Sequence, residues 1–151
     1  MNDQQKKVYK EIVSIMKICR DGEVGYRNAA EHIEEVSTST LFMRLSQQRK
    51  TFYAELEREM RIYFGETPET GTSIKGDLHH IWQDVKATFT GNSSEEIIEE
   101  CIRGERAALE AYENVLVKQE LPFAFQELIA KQGSLIKSAL AQMELLENAV
   151  D

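Results

Sequence analysis

Apolar residues recur at intervals of three and four along most of this chain, which is the periodicity of amphipathic helices that pack into a bundle. Four long segments show this pattern. They run from about residue 3 to 36, from the turn STST (37–40) to about Phe64, from the cap at Ser93 to about Lys118, and from Pro122 to about Asn148. No segment shows the strict alternation of a half-buried strand. The pattern therefore predicts an all-α fold.

The connections between these segments differ in length. Short turns join the first helix to the second and the third to the fourth, so each pair is predicted to form an antiparallel hairpin. The connection between the hairpins contains a loop at 65–73 and an amphipathic segment at 74–89, which predicts a short fifth helix. Two hairpins joined by a long crossover form a ferritin-like four-helix bundle. We predict one such domain over residues 1–151, with an all-short-loop bundle of five helices as the alternative.

Each helical stripe is interrupted near its middle by one polar residue. These residues are Glu23, Arg49, Glu105 and Gln132. Counted from the turns at 37 and near 120, they lie about 18 to 22 Å along their helices, within roughly one helical turn of a common height. We therefore predict a polar layer across the core of the bundle.

Part of this layer is repeated between the two hairpins. The repeat pairs Cys19 with Cys101, Gly22 with Gly104 and Glu23 with Glu105, at a constant spacing of 82 residues. Both cysteines fall on apolar faces, so we expect buried, inert thiols. Two carboxylates facing one guanidinium would leave a net negative charge. We therefore predict that one glutamic acid is protonated at neutral pH, or that the layer admits water or a cation.

Two inward carboxylates form only part of a di-metal site. Ferritin-like di-metal proteins add a Glu-x-x-His motif on each of the other two helices. Those places read RKTF (49–52) and QGSL (132–135) here. We therefore favour a layer that fixes helix register and needs no cofactor. The alternative is a divergent metal-binding or oxidase-type protein that holds iron or another divalent ion with Glu23 and Glu105.

Five further residues are secondary candidates for a site. Tyr26, Glu59 and Tyr112 continue the apolar stripes, and His79 and Trp82 lie three residues apart on the crossover helix. The simpler interpretation is that Trp82 packs on the bundle while His79 caps a backbone or acidic group. A metal or ligand site at His79 and His80 is the alternative.

Composition and charge limit the expected partners. The chain has 26 acidic and 18 basic residues, a formal net charge of −8 and no basic stripe, which disfavours nucleic-acid binding. No apolar run approaches the roughly 20 residues of a membrane span, and the N-terminus lacks a secretory pattern. We therefore expect a cytoplasmic protein. Extra apolar residues at Ile15, Ile18 and Leu145 are compatible with a homodimer, and no protein partner can be named from the sequence.

Several motifs resemble an uncharacterised family of bacterial ferritin-like four-helix bundles, classed as a domain of unknown function. The motifs are DGEVGYRNAAE (21–31), Arg49 with Phe52, LHHIW (78–82), ECIRGE (100–105) with Tyr112, LP (121–122) and Gln132. They follow the family's order along almost the whole chain. The spacing from Glu105 to Tyr112 is also similar to that of the metal-ligand helix in rubrerythrin-like proteins.

The chain departs from that family at two places. Family members often carry an acidic residue at the place of Ile102 and a histidine near Leu140. The resemblance therefore implies a bacterial bundle with a degenerate di-metal site, and it implies no settled activity. Our leading hypothesis is a non-catalytic structural or interaction protein, with a stress-related role as an extension. A module that binds a small ligand at the polar layer is a third, weaker hypothesis.

Overall fold

The computed structural model describes residues 1–66, 93–118 and 120–150, and these residues form four long helices. The helices are α1 (Asp3–His32), α2 (Val36–Phe64), α3 (Ser94–Lys118) and α4 (Phe123–Val150). The predicted all-α architecture is confirmed for this part of the chain. The predicted crossover helix at 74–89, with His79 and Trp82, lies outside the described residues.

The helix ends follow local capping chemistry. Asn2 and Gln5 form a capping box at the start of α1, in which each side chain accepts a hydrogen bond from the other residue's backbone N–H. Ser93 Oγ accepts from the backbone N–H of Glu96 at 3.2 Å, as the sequence predicts for α3. α2 ends at Gly65, whose φ of +78° is the left-handed conformation that glycine adopts without steric cost.

The first hairpin turns earlier than the sequence pattern indicates. α1 ends at His32 and not near residue 36, because Ile33 takes an extended conformation and buries its side chain in the core. The residues expected to form the turn, 37–40, lie in the first turns of α2. Ser39 Oγ from this segment donates to the carbonyl of Ala30 at 2.8 Å, so the hydroxyl satisfies a carbonyl near the end of α1.

The four helices lie at the corners of a square. α1 packs against α2 and α3, and α4 packs against the other sides of the same two helices. Within the described residues, the backbones of the diagonal pairs, α1 with α4 and α2 with α3, do not approach each other closely. A side-chain contact between α2 and α3 therefore has to pass through the centre of the bundle.

The core consists of two hydrophobic clusters, stacked along the bundle. One cluster includes Ile12, Leu56 and Ile129, and the other includes Phe42, Ile98 and Met143. Neither cluster contains Arg49 or Glu105, which are buried as well. The core thus changes from apolar to polar and back to apolar along its length.

The buried stripe of α4 differs by one residue from the sequence-based expectation. The spacing of three and four from Phe125 through Gln132 to Ala139 predicts that Leu128 and Leu135 face the core. The structure instead buries Ile129 and Ile136, and Leu135 is 39% exposed. Neighbouring positions on a helix point about 100° apart, and both stripes here are apolar with the same spacing. The pattern alone could not separate them, and packing against the other helices decided between them.

We predict that Ile129→Ala lowers the free energy of unfolding by about 2–5 kcal/mol, because it leaves a cavity at a fully buried position. Leu145→Ala on the same helix is the control, and we expect it to cost less than about 0.5 kcal/mol because Leu145 is 70% exposed. Urea unfolding followed by circular dichroism measures both values. Equal costs would contradict the placement of the buried stripe.

Candidate polar site in the bundle core

An ion pair between Arg49 and Glu105 crosses the centre of the bundle. Arg49 lies on α2 and Glu105 on α3, the diagonal partners, and they are 2% and 0% exposed. Arg49 Nη1 and Nη2 each donate to one carboxylate oxygen of Glu105, a bidentate arrangement. Nε and Nη2 also donate to Gln48 Oε1 at 3.4 and 3.2 Å. The buried charge of each partner is therefore compensated within the protein.

Two residues of α1 shape the space around this pair. Gly22 lies against the stem of Arg49, and a Cβ atom at this position would be 3.4 Å from Arg49 Cγ. The ring centroid of Tyr26 lies 5.4 Å from the guanidinium carbon of Arg49. The Tyr26 hydroxyl donates to Met143 Sδ at 3.7 Å. α1 therefore supplies a gap for the arginine stem and an aromatic ring beside the guanidinium.

A second polar network joins all four helices. The Tyr112 hydroxyl donates to Gln132 Oε1 at 2.7 Å, and it lies 3.1 Å from Cys19 Sγ. A tyrosine hydroxyl has one hydrogen, so the thiol of Cys19 is the donor in the second contact. Gln132 Nε2 donates to the carbonyl of Phe52 at 3.2 Å and to Glu55 Oε1 at 3.1 Å. Every polar atom of the buried Gln132 amide thus has a partner.

Burial and neighbouring charges hold these groups in their ordinary protonation states at neutral pH. Burial raises the pKa of the Cys19 thiol from its ordinary value of 9.0 to about 11. Burial also raises the pKa of Tyr26, Tyr112 and Cys101 well above their usual values. For Arg49, burial alone would lower the pKa, but the charge and hydrogen bonds of Glu105 raise it. The tyrosines and thiols are therefore neutral and the guanidinium is charged.

Glu23 does not join the ion pair, although the sequence repeat matches it with Glu105. Its side chain is 14% exposed, and Oε2 lies 3.7 Å from Nη1 of Arg27, four residues along the same helix. Its backbone carbonyl joins α1 to α2, because it accepts from Ser46 Oγ at 2.7 Å. A partly solvated carboxylate beside Arg27 avoids the cost of a second buried charge. The sequence predicted an excess negative charge for two carboxylates that face one guanidinium. Arg27 lies beside Glu23 and offsets part of that charge.

The other residues singled out from the sequence lie away from the ion pair of Arg49 and Glu105. Glu59 is half-buried and lines a cleft between α2 and α4 with Leu128 and Lys131. Ile15 and Ile18, which we associated with a homodimer, are buried within the chain itself. They therefore cannot serve as an exposed contact surface.

Sequence reasoning missed two residues that complete the networks, Gln48 and Glu55. They are seven residues apart on α2, so they lie on one face of the helix, next to the stripe that carries Arg49. That spacing was the available signal. A polar residue at such a flanking position is usually solvated, however, and only the contacts with Arg49 and Gln132 identify their role.

The donor set at the centre is poor in metal ligands. Among the described residues, no group of three or more His, Cys, Asp or Glu side chains is placed to hold a metal ion. Ile102 and Leu140, where the resembling family often has an acidic residue and a histidine, are both buried in an apolar cluster. None of the helices in the described ranges is both long and apolar enough to cross a membrane.

These features define an all-helical four-helix bundle with a buried, fully hydrogen-bonded ion pair at its centre. A family model described as "Domain of unknown function (DUF2383)" matches residues 7–118, from the first helix to the end of the third. The match covers most of the sequence, and the chain belongs to this family. A search of curated proteins finds no match to the chain.

We predict that Glu105→Gln lowers the free energy of unfolding by about 3–5 kcal/mol, because it leaves the buried Arg49 charge uncompensated. The double variant Glu105→Gln/Arg49→Met should lose less free energy of unfolding than the two single variants together, because it no longer contains the buried guanidinium charge. Glu23→Gln is the matched control, and we expect a cost below about 1 kcal/mol for a partly exposed pair. Equal costs for the two glutamate variants, from urea unfolding, would contradict this asymmetry.

We also predict an alkaline loss of stability that depends on Cys19. Its pKa is about 11 in the folded protein against an ordinary value of 9.0, so its contribution is complete below about pH 9. That contribution, up to about 2–3 kcal/mol, is lost as the pH rises through about 11. Unfolding under reducing conditions at about pH 8 and about pH 10.5 measures the loss. Cys19→Ser should show a smaller loss than the wild type, and an equal loss would disprove the assignment.

Proposed function

We propose that this chain is a ferritin-like bundle that acts as a non-catalytic structural or interaction protein, and that its centre is a degenerate di-metal site. The bidentate pair of Arg49 and Glu105 is the observation that carries this proposal. In ferritin-like di-metal proteins, metal ions balance the charge of inward carboxylates. Here a guanidinium from the protein itself balances that charge.

The hydrogen bonds around the pair support the same proposal. Both carboxylate oxygens of Glu105 already accept from Arg49, and the Gln132 amide is fully used by Tyr112, Phe52 and Glu55. A metal ion at this height would have to displace Arg49 from Glu105. The displaced guanidinium would then be buried without a counter-charge, at a cost of several kcal/mol.

The same contacts give the centre a structural role. The ion pair connects α2 to α3 along the diagonal, and the Cys19–Tyr112–Gln132 network connects α1, α3 and α4 with α2. Polar contacts with fixed partners favour one register of the helices over others, because any shift leaves buried polar groups unpaired. Because the polar groups of the centre already have partners within the chain, contacts with other molecules are expected at the surface.

Metal analysis tests the proposal directly. Protein purified without chelator is analysed by elemental mass spectrometry, and its melting temperature is measured with and without Fe(II), Mn(II) and Zn(II). We expect far less than one metal ion per chain and no rise in melting temperature. Near-stoichiometric metal that is lost in Glu105→Gln but kept in the matched variant Glu127→Gln would overturn the proposal and support the metal-binding alternative.

A gain-of-binding variant sharpens this test. Arg49→Met removes the guanidinium that occupies Glu105 and leaves the carboxylate in the core. If the centre is a degenerate di-metal site, this variant should gain a metal-dependent rise in melting temperature that the wild type lacks. No gain in the variant, with the protein still folded by circular dichroism, would contradict the idea of a former metal site.

A further inference from the structure

A continuous series of polar contacts runs from the cleft between α2 and α4 to a thiol in the core. Lys131 Nζ lies 3.9 Å from Glu55 Oε2, and Glu55 Oε1 accepts from Gln132 Nε2 at 3.1 Å. Gln132 Oε1 accepts from the Tyr112 hydroxyl at 2.7 Å, and that hydroxyl lies 3.1 Å from Cys19 Sγ. We call these five residues the surface-to-core chain.

Exposure to solvent falls along the surface-to-core chain. The side chains of Lys131 and Glu55 are 66% and 33% exposed, whereas Gln132, Tyr112 and Cys19 are buried. The outer end of the chain therefore carries its two charges next to water, where other molecules can reach them. Its inner hydrogen bonds lie in a medium of low dielectric constant, where electrostatic effects on a hydrogen bond are larger than in water.

The hydrogen bonds of the surface-to-core chain all point in one direction. The Phe52 carbonyl and the Glu55 carboxylate can only accept, so both hold the Gln132 amide nitrogen on their side. Gln132 Oε1 then takes the hydrogen of the Tyr112 hydroxyl, which leaves the Cys19 thiol to donate to the Tyr112 oxygen. Each donor thus points from the core toward the carboxylate at the surface.

A charged acceptor at the end of such a chain strengthens the hydrogen bonds behind it. Hydrogen bonds to ionised groups are roughly twice as strong as neutral ones, and the bonds of a chain polarise one another. The Glu55 carboxylate polarises the Gln132 amide and makes its oxygen a stronger acceptor for Tyr112. The Tyr112 oxygen becomes a stronger acceptor for the thiol hydrogen in turn. The negative charge of Glu55 therefore strengthens the hydrogen bond that Cys19 donates.

Lys131 acts against Glu55 at the outer end of the chain. Its ammonium lies beside the carboxylate oxygen that does not bond to Gln132, so it offsets part of the negative charge. The electrostatics of the thiol agree with this coupling. Burial is the largest cause that raises the pKa of Cys19, and the negative charge of Glu55 contributes in the same direction.

We propose that Glu55 and Lys131 form the outer end of a regulatory device, which transmits a change of charge in the cleft between α2 and α4 to the hydrogen bond of the Cys19 thiol. Loss of the carboxylate charge weakens that hydrogen bond, and loss of the ammonium charge strengthens it. The device needs no movement of the helices, because the bonds that carry the effect are already formed. It goes beyond the structural role proposed above and does not depend on it.

Raman spectroscopy of the S–H stretching band tests the coupling, because the frequency of this band falls as the thiol donates a stronger hydrogen bond. Cys19→Ala identifies the band of Cys19 beside that of Cys101. We expect Glu55→Gln to raise the Cys19 frequency, because it removes the charge and keeps an acceptor oxygen. We expect Lys131→Gln to lower it. Absence of a shift in both variants, or shifts of the same sign, would overturn the proposal.

Two matched variants separate the surface-to-core chain from a general change in charge. Glu59→Gln removes a carboxylate of the same cleft that is not bonded to Gln132, and Lys137→Gln removes an exposed ammonium from α4. Both should leave the Cys19 band in place, and circular dichroism checks that every variant is folded. Control shifts as large as those of Glu55→Gln and Lys131→Gln would contradict a specific chain.

A double variant shows whether the effect passes through the hydrogen bonds. Tyr112→Phe removes the hydroxyl that accepts from Cys19, so the S–H frequency should rise to that of a thiol without this bond. Adding Glu55→Gln to Tyr112→Phe should then cause no further shift. A shift as large as in the wild-type background would mean that the charge acts directly through space, and it would overturn the proposed transmission.

Discussion

The charge balance between Arg49 and Glu105 is the constraint on which the rest of the bundle depends. Two ions at 2% and 0% exposure are tolerated only when each compensates the other and when their remaining hydrogen-bonding positions are filled. The surrounding residues meet that condition. Gly22 leaves space for the arginine stem, and the Tyr26 ring lies beside the guanidinium. Gln48 accepts from Nε and Nη2, so every nitrogen of the guanidinium has an acceptor.

Burial keeps the tyrosines and cysteines of the centre neutral at neutral pH. Both carboxylate oxygens of Glu105 are bonded to Arg49. Gln132 illustrates the same principle, because its amide accepts from Tyr112 while donating to Phe52 and Glu55. A carboxylate at this position could not donate to either acceptor. The amide of Gln132 therefore fits its three partners, and a carboxylate in its place would not.

Periodicity and helix length predict the helices and a polar layer at one height of the core, and Arg49, Glu105 and Gln132 of that layer are buried. The sequence could not predict which glutamate is buried. Glu23 and Glu105 sit in matching local sequences, and only the position of Arg49, on the diagonal from Glu105, separates their roles. Leu128 and Ile129 present the same problem on α4, since two apolar stripes lie one residue apart. Choices between neighbouring stripes belong to tertiary packing, which local sequence does not record.

The diagonal course of the ion pair also relates side-chain length to the cross-section of the bundle. Helices 8–10 Å apart along the edges of a square lie about 11–14 Å apart across its diagonal. Arginine and glutamate are the longest oppositely charged pair whose planar ends meet in two parallel hydrogen bonds. Their hydrogen bonds connect α2 and α3 across the centre. The pair therefore spans the widest dimension of the cross-section, between two helices whose described backbones do not approach each other closely.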